Sequence, residues 1–295
     1  MIKGKRCFLV IAAAALCLAA LYSCGQNSAP KAADAGFPMV EAPAVITEPP
    51  ARIDYMAEHF WDIFLSGTFG PAAADSLAVR GVGAEELESK FAMWASFIKD
   101  ASYGSMQKAV RTFGRKAAAD SAAYPCLLAL ADKFLYDPSS PTRNEEAYLH
   151  LLEKILGGAL PEESSRPSYL LALEKCSLNR IGEKAADFAF TDAGGTRRTL
   201  HGIKAPVTLI FFGNPGCTAC TQYKEAFEED REIAAKISAG DIYVVNAYPD
   251  EDTVLNDLYN IRAIPSLYLL DSDKTVMLKD ASVQEVMEQL YAIFF

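Results

Sequence analysis

The stretch Val207-Thr208-Leu209-Ile210-Phe211-Phe212-Gly213-Asn214-Pro215-Gly216-Cys217-Thr218-Ala219-Cys220 decides the fold. Its first six residues form a short apolar run stopped by Gly213, the pattern of a strand buried on both faces of a sheet. From Thr218 to Ile237 the apolar positions Tyr223, Phe227, Ala234 and Ile237 recur at helical spacing, so the spacing predicts one helix there. The two cysteines of the CxxC therefore sit where a buried strand turns into a helix. Free backbone N–H groups and the macrodipole at a helix start stabilise an anion, which lowers the pKa of a thiol placed there. Cys217 is then the nucleophile. Cys220, one turn further in, is placed to attack a mixed disulfide on Cys217 and expel the substrate thiol.

Working outward, Asp192-Ala193-Gly194-Gly195 between Phe188-Ala189-Phe190 and Thr196 to Leu200 is a hairpin signal. After the CxxC helix come a strand over Ile242 to Val245, a short helix over Thr253 to Tyr259 and strands over Leu267 to Leu270 and Thr275 to Leu278. A closing helix follows over Val283 to Phe294. The order is βαβαββα after an N-terminal hairpin, and Ile264-Pro265-Ser266 precedes the third of these strands.

That order, with CxxC after the first strand and Ile-Pro before the third, resembles thioredoxin. The preamble Gly182-Glu183-Lys184-Ala185-Ala186-Asp187-Phe188 is similar to the membrane-tethered TlpA and ResA type. Phe60-Trp61-Asp62, Pro249-Asp250 and Tyr268-Leu269-Leu270-Asp271 extend the resemblance to thioredoxin-like lipoproteins of the Bacteroidota with an N-terminal helical domain of unknown function. The resemblance implies an α/β thioredoxin fold over residues 181–295 and a cis bond before Pro265. It also implies a groove in which Pro265 shapes the surface and the Ile264 backbone pairs with a bound cysteine-containing segment. The chain departs from the thioredoxin pattern at four places. Gly216 replaces the tryptophan before the first cysteine, Thr218-Ala219 replaces Gly-Pro, Phe211 stands where a buried Asp serves the second thiol, and Glu225 replaces a helix proline. The middle dipeptide and nearby charges tune potential, so the direction of electron flow is left open.

Residues 52–180 carry helical signals and almost no strand signals, giving an all-α domain of six helices with no fixed repeat. Cys126 and Cys176 fall in its fourth and sixth helices and either pair with each other or remain buried thiols. His59, on the apolar face of the first helix, reads as a packed core residue, and Trp61 and Trp94 as helix packing; His150 and His201 have no recognisable partners. The acidic group Glu225, Glu228, Glu229, Asp230 and Glu232 reads as a solvated helix face. Structural zinc needs four Cys or His ligands, and three histidines with a single CxxC do not supply them. No metal or cofactor is expected, since the two sulfurs carry the electrons.

At the N-terminus Lys3, Lys5 and Arg6 precede an uncharged run from Cys7 to Leu21, too short for the ~20 residues of a spanning helix. Leu21-Tyr22-Ser23-Cys24 resembles a lipobox, which implies a signal peptide over 1–23 and lipidation of Cys24. Residues 24–51, rich in Pro and Ala, read as an extended tether. In related lipoproteins an acidic run after the lipidated cysteine favours export to the cell surface; none follows Cys24, so the lipobox resemblance implies an outer-membrane anchor facing the periplasm. The 28 Lys+Arg against 38 Asp+Glu give −10, which argues against a nucleic-acid partner. Expected partners are protein thiols and disulfides, a membrane electron donor, and the membrane itself through Cys24. The function expected is that of an anchored extracytoplasmic thiol-disulfide oxidoreductase. The alternative is a non-catalytic binding lipoprotein whose CxxC is structural.

Overall fold

The computed structural model describes residues 36–66, 78–249 and 253–295. The expected signal peptide, Cys24 and the first part of the expected tether lie outside them. Residues 36–295 form one compact unit, within which the helical half and the C-terminal half each keep a hydrophobic core.

In the helical half, α1 (Pro49–His59), α2 (Ala84–Asp100), α3 (Tyr103–Ala118), α4 (Tyr124–Ala131), α5 (Glu145–Leu156) and α6 (Arg166–Cys176) follow the six sequence segments, with a small β1 (Ala78–Val79) and β2 (Val82–Gly83) hairpin before α2. Ser102 caps α3 by accepting from the Ser105 N–H, and Asn144 caps α5 by accepting from the Ala147 N–H. Helices α3 and α5 meet closely at Gly114, where an added Cβ would stand 2.8 Å from Leu151 Cδ1. Trp94 is buried, and its Nε1–H donates to the Ala57 carbonyl at 2.9 Å. Trp94 on α2 and Trp61, in the turns just beyond α1, both serve packing.

Three local expectations need correction. The stretch Gly36–Ala51 is not a free tether. Phe37 is buried, stacks on Phe64 at 5.1 Å and meets Trp61 edge-on at 5.5 Å, while Pro49–Ala51 already belong to α1. An isolated aromatic in a proline-rich segment has no periodic partners in sequence, so its docking is invisible there. His59 is not a core residue either; its side chain is about 37% exposed and its Nδ1 lies 2.8 Å from Asp62 Oδ2. His150, in contrast, has many partners: it is buried, with Nε2 3.1 Å from the Tyr103 hydroxyl and Nδ1 3.1 Å from Glu153 Oε2.

The C-terminal half begins with the hairpin β3 (Ala189–Thr191) and β4 (Arg197–Thr199), closed by the turn at Asp192. Then come β5 (Val207–Phe212), α7 (Thr218–Glu229), α8 (Arg231–Ala239), β6 (Ile242–Ala247), α9 (Thr253–Leu258), β7 (Ser266–Leu270), β8 (Val276–Ala281) and α10 (Val283–Phe294). The single helix expected over Thr218 to Ile237 is two. Asp230 is extended and its carboxylate accepts from the N–H groups of Glu232 and Ile233, so it ends one helix and caps the next. Glu225, Glu228, Glu229 and Glu232 are exposed, as a solvated face requires.

The sheet order is β6-β5-β7-β8, with β5 parallel to β6 and antiparallel to β7, and β7 antiparallel to β8. All six residues of β5 are buried, as the apolar run predicts. This is the thioredoxin fold, with α7 and α10 on the Leu209 and Leu267 face and α9 on the other.

Candidate functional site

The end of β5 and the start of β7 lie side by side, since Phe212 pairs with Ser266. That register brings the CxxC loop and the Ile264–Pro265 loop to one end of the sheet. The Ile264–Pro265 peptide bond is cis. The Ile264 N–H and C=O make no hydrogen bond with the described residues, so both are free to pair with an incoming chain.

Cys217 is the N-cap of α7, and its Sγ accepts from the Cys220 N–H at 3.2 Å. The two cysteines are joined as a disulfide, with Cα atoms 5.2 Å apart. Cys217 is half-buried and Cys220 buried, so an attacking group meets Cys217 first. On reduction the amide already aimed at Cys217 Sγ stabilises its thiolate. Behind the pair the sequence is closely fitted. A Cβ at Gly213 would stand 3.1 Å from Cys220 Sγ and 2.9 Å from Phe211 Cε1, which accounts for glycine there. Phe211, buried in β5, has the Lys224 ammonium 5.0 Å above its ring. Cys126 and Cys176 do not pair. Both are free thiols, and burial pushes the Cys176 thiol up to about 12, which makes it inert. Among the described residues no group of His, Cys, Asp and Glu is arranged to hold a metal ion.

Sequence reasoning missed what surrounds this end of the sheet. A cleft of about 440 Å³ lies between the helical half and the C-terminal half, lined by Ile264 and Pro265, by Tyr223 one turn beyond Cys220, and by Arg143 and Asp280. Strand β8 is bulged here: two steps along β7 from Leu267 to Leu269 match three along β8 from Ala281 to Leu278. The extra residue turns Asp280 to a left-handed φ of 54°, a conformation Asp tolerates better than most residues. Asp280 thereby reaches the Arg143 guanidinium, with both side chains largely buried, and bonds the Ser266 hydroxyl beside Pro265. Burial lifts the Asp280 carboxyl to about 6 in spite of Arg143. Its neighbour Lys279 pairs with Glu145 at 3.2 Å and donates to the carbonyls of Cys176 and Leu178. Glu146 takes Arg180 at 2.6 Å and the Tyr103 hydroxyl at 3.0 Å. Despite burial, these partners and His150 hold its carboxyl down at about 2.

The helical half also grips the loop that carries Pro265. Asn260 donates to Glu145 Oε1 at 2.9 Å, and Arg262 bonds the Tyr136 carbonyl with its guanidinium 3.6 Å over the Tyr136 ring. The signal that could have exposed this was Lys279-Asp280, two charges prolonging a strand whose apolar part ends at Leu278.

Comparison with known proteins agrees with both halves. The family model described as a domain of unknown function, DUF5106, matches residues 21–169. The crystal structure of a thioredoxin-like protein from Bacteroides caccae superposes with a TM-score of 0.74 and 30% identity, covering 87% of this chain and 98% of that one. The C-terminal domain of an uncharacterized protein from Bacteroides fragilis is 36% identical over 38% of this chain and 98% of its own, with a TM-score of 0.36. A thiol:disulfide interchange protein from Bacteroides sp. is 15% identical over 38% of this chain and 89% of its own, with a TM-score of 0.32. No curated protein matches the chain. The chain belongs to the DUF5106 family, and its C-terminal half has the fold of the thioredoxin-like proteins of the Bacteroidota.

Proposed function

We propose that this protein is an extracytoplasmic thiol-disulfide oxidoreductase, lipid-anchored through Cys24, with Cys217 as attacking and Cys220 as resolving thiol. The observation that carries the reading is the Cys217 sulfur at the N-cap of α7, 3.2 Å from the Cys220 N–H, at the sheet end where the Ile264 peptide groups are unpaired. In the reduced state the Cys217 thiolate attacks one sulfur of a substrate disulfide. A Cys217–substrate disulfide forms, and the other substrate sulfur leaves as a thiolate that takes a proton from water. Cys220, having lost its proton, then attacks Cys217 Sγ; the Cys217–Cys220 disulfide forms and the substrate leaves as a dithiol, two electrons having passed to it. Run backwards, the same steps oxidise a dithiol. A membrane electron donor restores the reduced pair, and no cofactor is needed. The substrate segment adds as a strand at Ile264 beside Pro265.

The test is the redox equilibrium of the pair in the full chain, poised in glutathione or dithiothreitol buffers and read by alkylation mass shift. A reversible couple is expected, and Cys220→Ser traps mixed disulfides through Cys217. A pair that never interconverts while folded would move the reading to a binding lipoprotein with a structural CxxC. The anchor has its own test: Cys24→Ser should move the protein from the membrane fraction, facing the periplasm, to the soluble one.

A further inference from the structure

We propose that the helical half is the second wall of the substrate groove, so that the polypeptide flanking the exchanged cysteine lies extended in the cleft between the two halves. The inference deepens the exchange reading and rests on it.

The cleft is continuous with the peptide groups of Ile264, which are left for strand addition, because Ile264 and Pro265 form part of its lining. A chain paired with Ile264 has the C-terminal half on one side, through Ala281, Ser282 and Glu285. On the other it meets Lys99, Pro138 and Pro141 of the helical half. The two walls approach at the rim, where Lys99 Nζ lies 3.7 Å from Glu285 Oε1 with both side chains partly exposed. The volume of about 440 Å³ suits a few residues of an extended chain and not a folded surface.

The walls are polar and hold Arg143 Nη1 and Glu146 Oε2 without hydrogen-bond partners, set back from solvent. Unmet buried polar atoms are rare in folded proteins, and here a donor and an acceptor occur in one cleft. These two atoms lie behind the cleft surface and are not what an occupant meets; what it meets is the Ile264 N–H and C=O, which pair with another backbone, so the occupant is an unfolded or loop segment of a protein. The helical half also sets the other wall: Asn260–Glu145, Arg262–Tyr136 and Arg143–Asp280–Ser266 fasten the Ile264–Pro265 loop from the helical side. Arg143 and Asp280 are thus positioning residues.

The experiment uses the full chain carrying Cys220→Ser and a ten-residue peptide whose central cysteine is activated as a disulfide with thionitrobenzoate. Attack by Cys217 forms the Cys217–peptide disulfide and releases the thionitrobenzoate anion, whose colour reports exchange. With p-benzoylphenylalanine in place of Lys99 or of Pro141, irradiation should join the trapped peptide to the helical half. The same group at the exposed Thr221 should not. Colour release with crosslinks from position 221 and none from 99 or 141 would overturn the inference and leave exchange standing. No colour release would instead sink the exchange reading. A second measurement uses Arg143→Gln with Asp280→Asn, which removes both members of the buried pair together. The ratio of the rate with the peptide to that with dithiobis(nitrobenzoate) should fall about tenfold through the displaced loop, and an unchanged ratio would count against the two positioning residues.

Discussion

Asp280→Asn tests how the charges between the two halves are balanced. In the folded protein this carboxyl faces Arg143 and the Ser266 hydroxyl, with Glu145, Lys279 and Tyr268 close enough to bias it. Two effects oppose: loss of water favours the neutral acid, and Arg143 favours the anion. Burial wins, since the group rises from 3.8 to about 6. The sign follows from linkage. Below pH ~4 folded and unfolded chains both hold the proton; between about 4 and 6 only the folded chain holds it; above that neither does. The contribution of Asp280 to stability is therefore fully present in acid and is lost as pH rises through that window. A change from 3.8 to about 6 corresponds to about 3 kcal/mol. Asn cannot titrate, so the stability of the wild type minus that of the variant should fall by about 3 kcal/mol between pH 3 and 7. Glu146, held at about 2, loses its own contribution as pH falls from 4.5 towards 2, and because both proteins share it the difference cancels it. Urea unfolding of the full chain, disulfide intact, at half-unit steps of pH would give the two curves. Parallel curves, or a wild type that gains on the variant as pH rises, would refute the reasoning and mean that Arg143 outweighs burial.

Phe37→Ala removes a ring buried among Phe60, Trp61 and Phe64 and should cost about 3 kcal/mol at most, since undocking of residues 36–51 caps the loss. Limited proteolysis should then cut within that stretch, while an uncut chain of unchanged urea midpoint would contradict its docking. Gly213→Ala forces a Cβ to 2.9 Å from Phe211 and 3.1 Å from Cys220 Sγ, and should lower stability by about 1–3 kcal/mol with an unchanged urea slope. A neutral result would mean that the Phe211 ring can swing away.

The contrast between the two halves explains what a single sequence can carry. Strand β5, the turn at Asp192 and the CxxC at a helix start are local patterns, set by neighbours within a few residues, and each is found where the spacing placed it. Asp230 was legible in principle, because an Asp two and three residues ahead of the amides it accepts is a capping signal, yet a continuous apolar period across it hid the break. Phe37 and the Lys279-Asp280 bulge belong to a different class. Their meaning depends on residues far along the chain, Phe64 and Trp61 for one, Glu145 and Arg143 for the other.

In one dimension a charged pair after a strand reads as a surface, and a Glu145-Glu146 pair at a helix start reads as a favourable first turn. Both readings are locally correct, since acidic residues do suit a helix N-terminus. What they omit is that two such surfaces face each other. Asp280 and Lys279 are then buried at the cost of their hydration, and this is offset in large part by Arg143 and Glu145 of the other half. A charge that is costly to bury without its opposite favours one docking geometry over all others, and that geometry sets the height of the helical wall above Pro265. By this argument the buried ion pairs specify where the two halves sit more than they add stability. Replacing Glu145 and Lys279 together by Leu and Met should leave the urea midpoint nearly unchanged. The same variant should broaden the crosslinking pattern of the trapped peptide, because the wall would no longer be held in one position. A sharp pattern from that variant, with stability lost, would show the reverse: pairs that stabilise and a wall positioned by its packing alone.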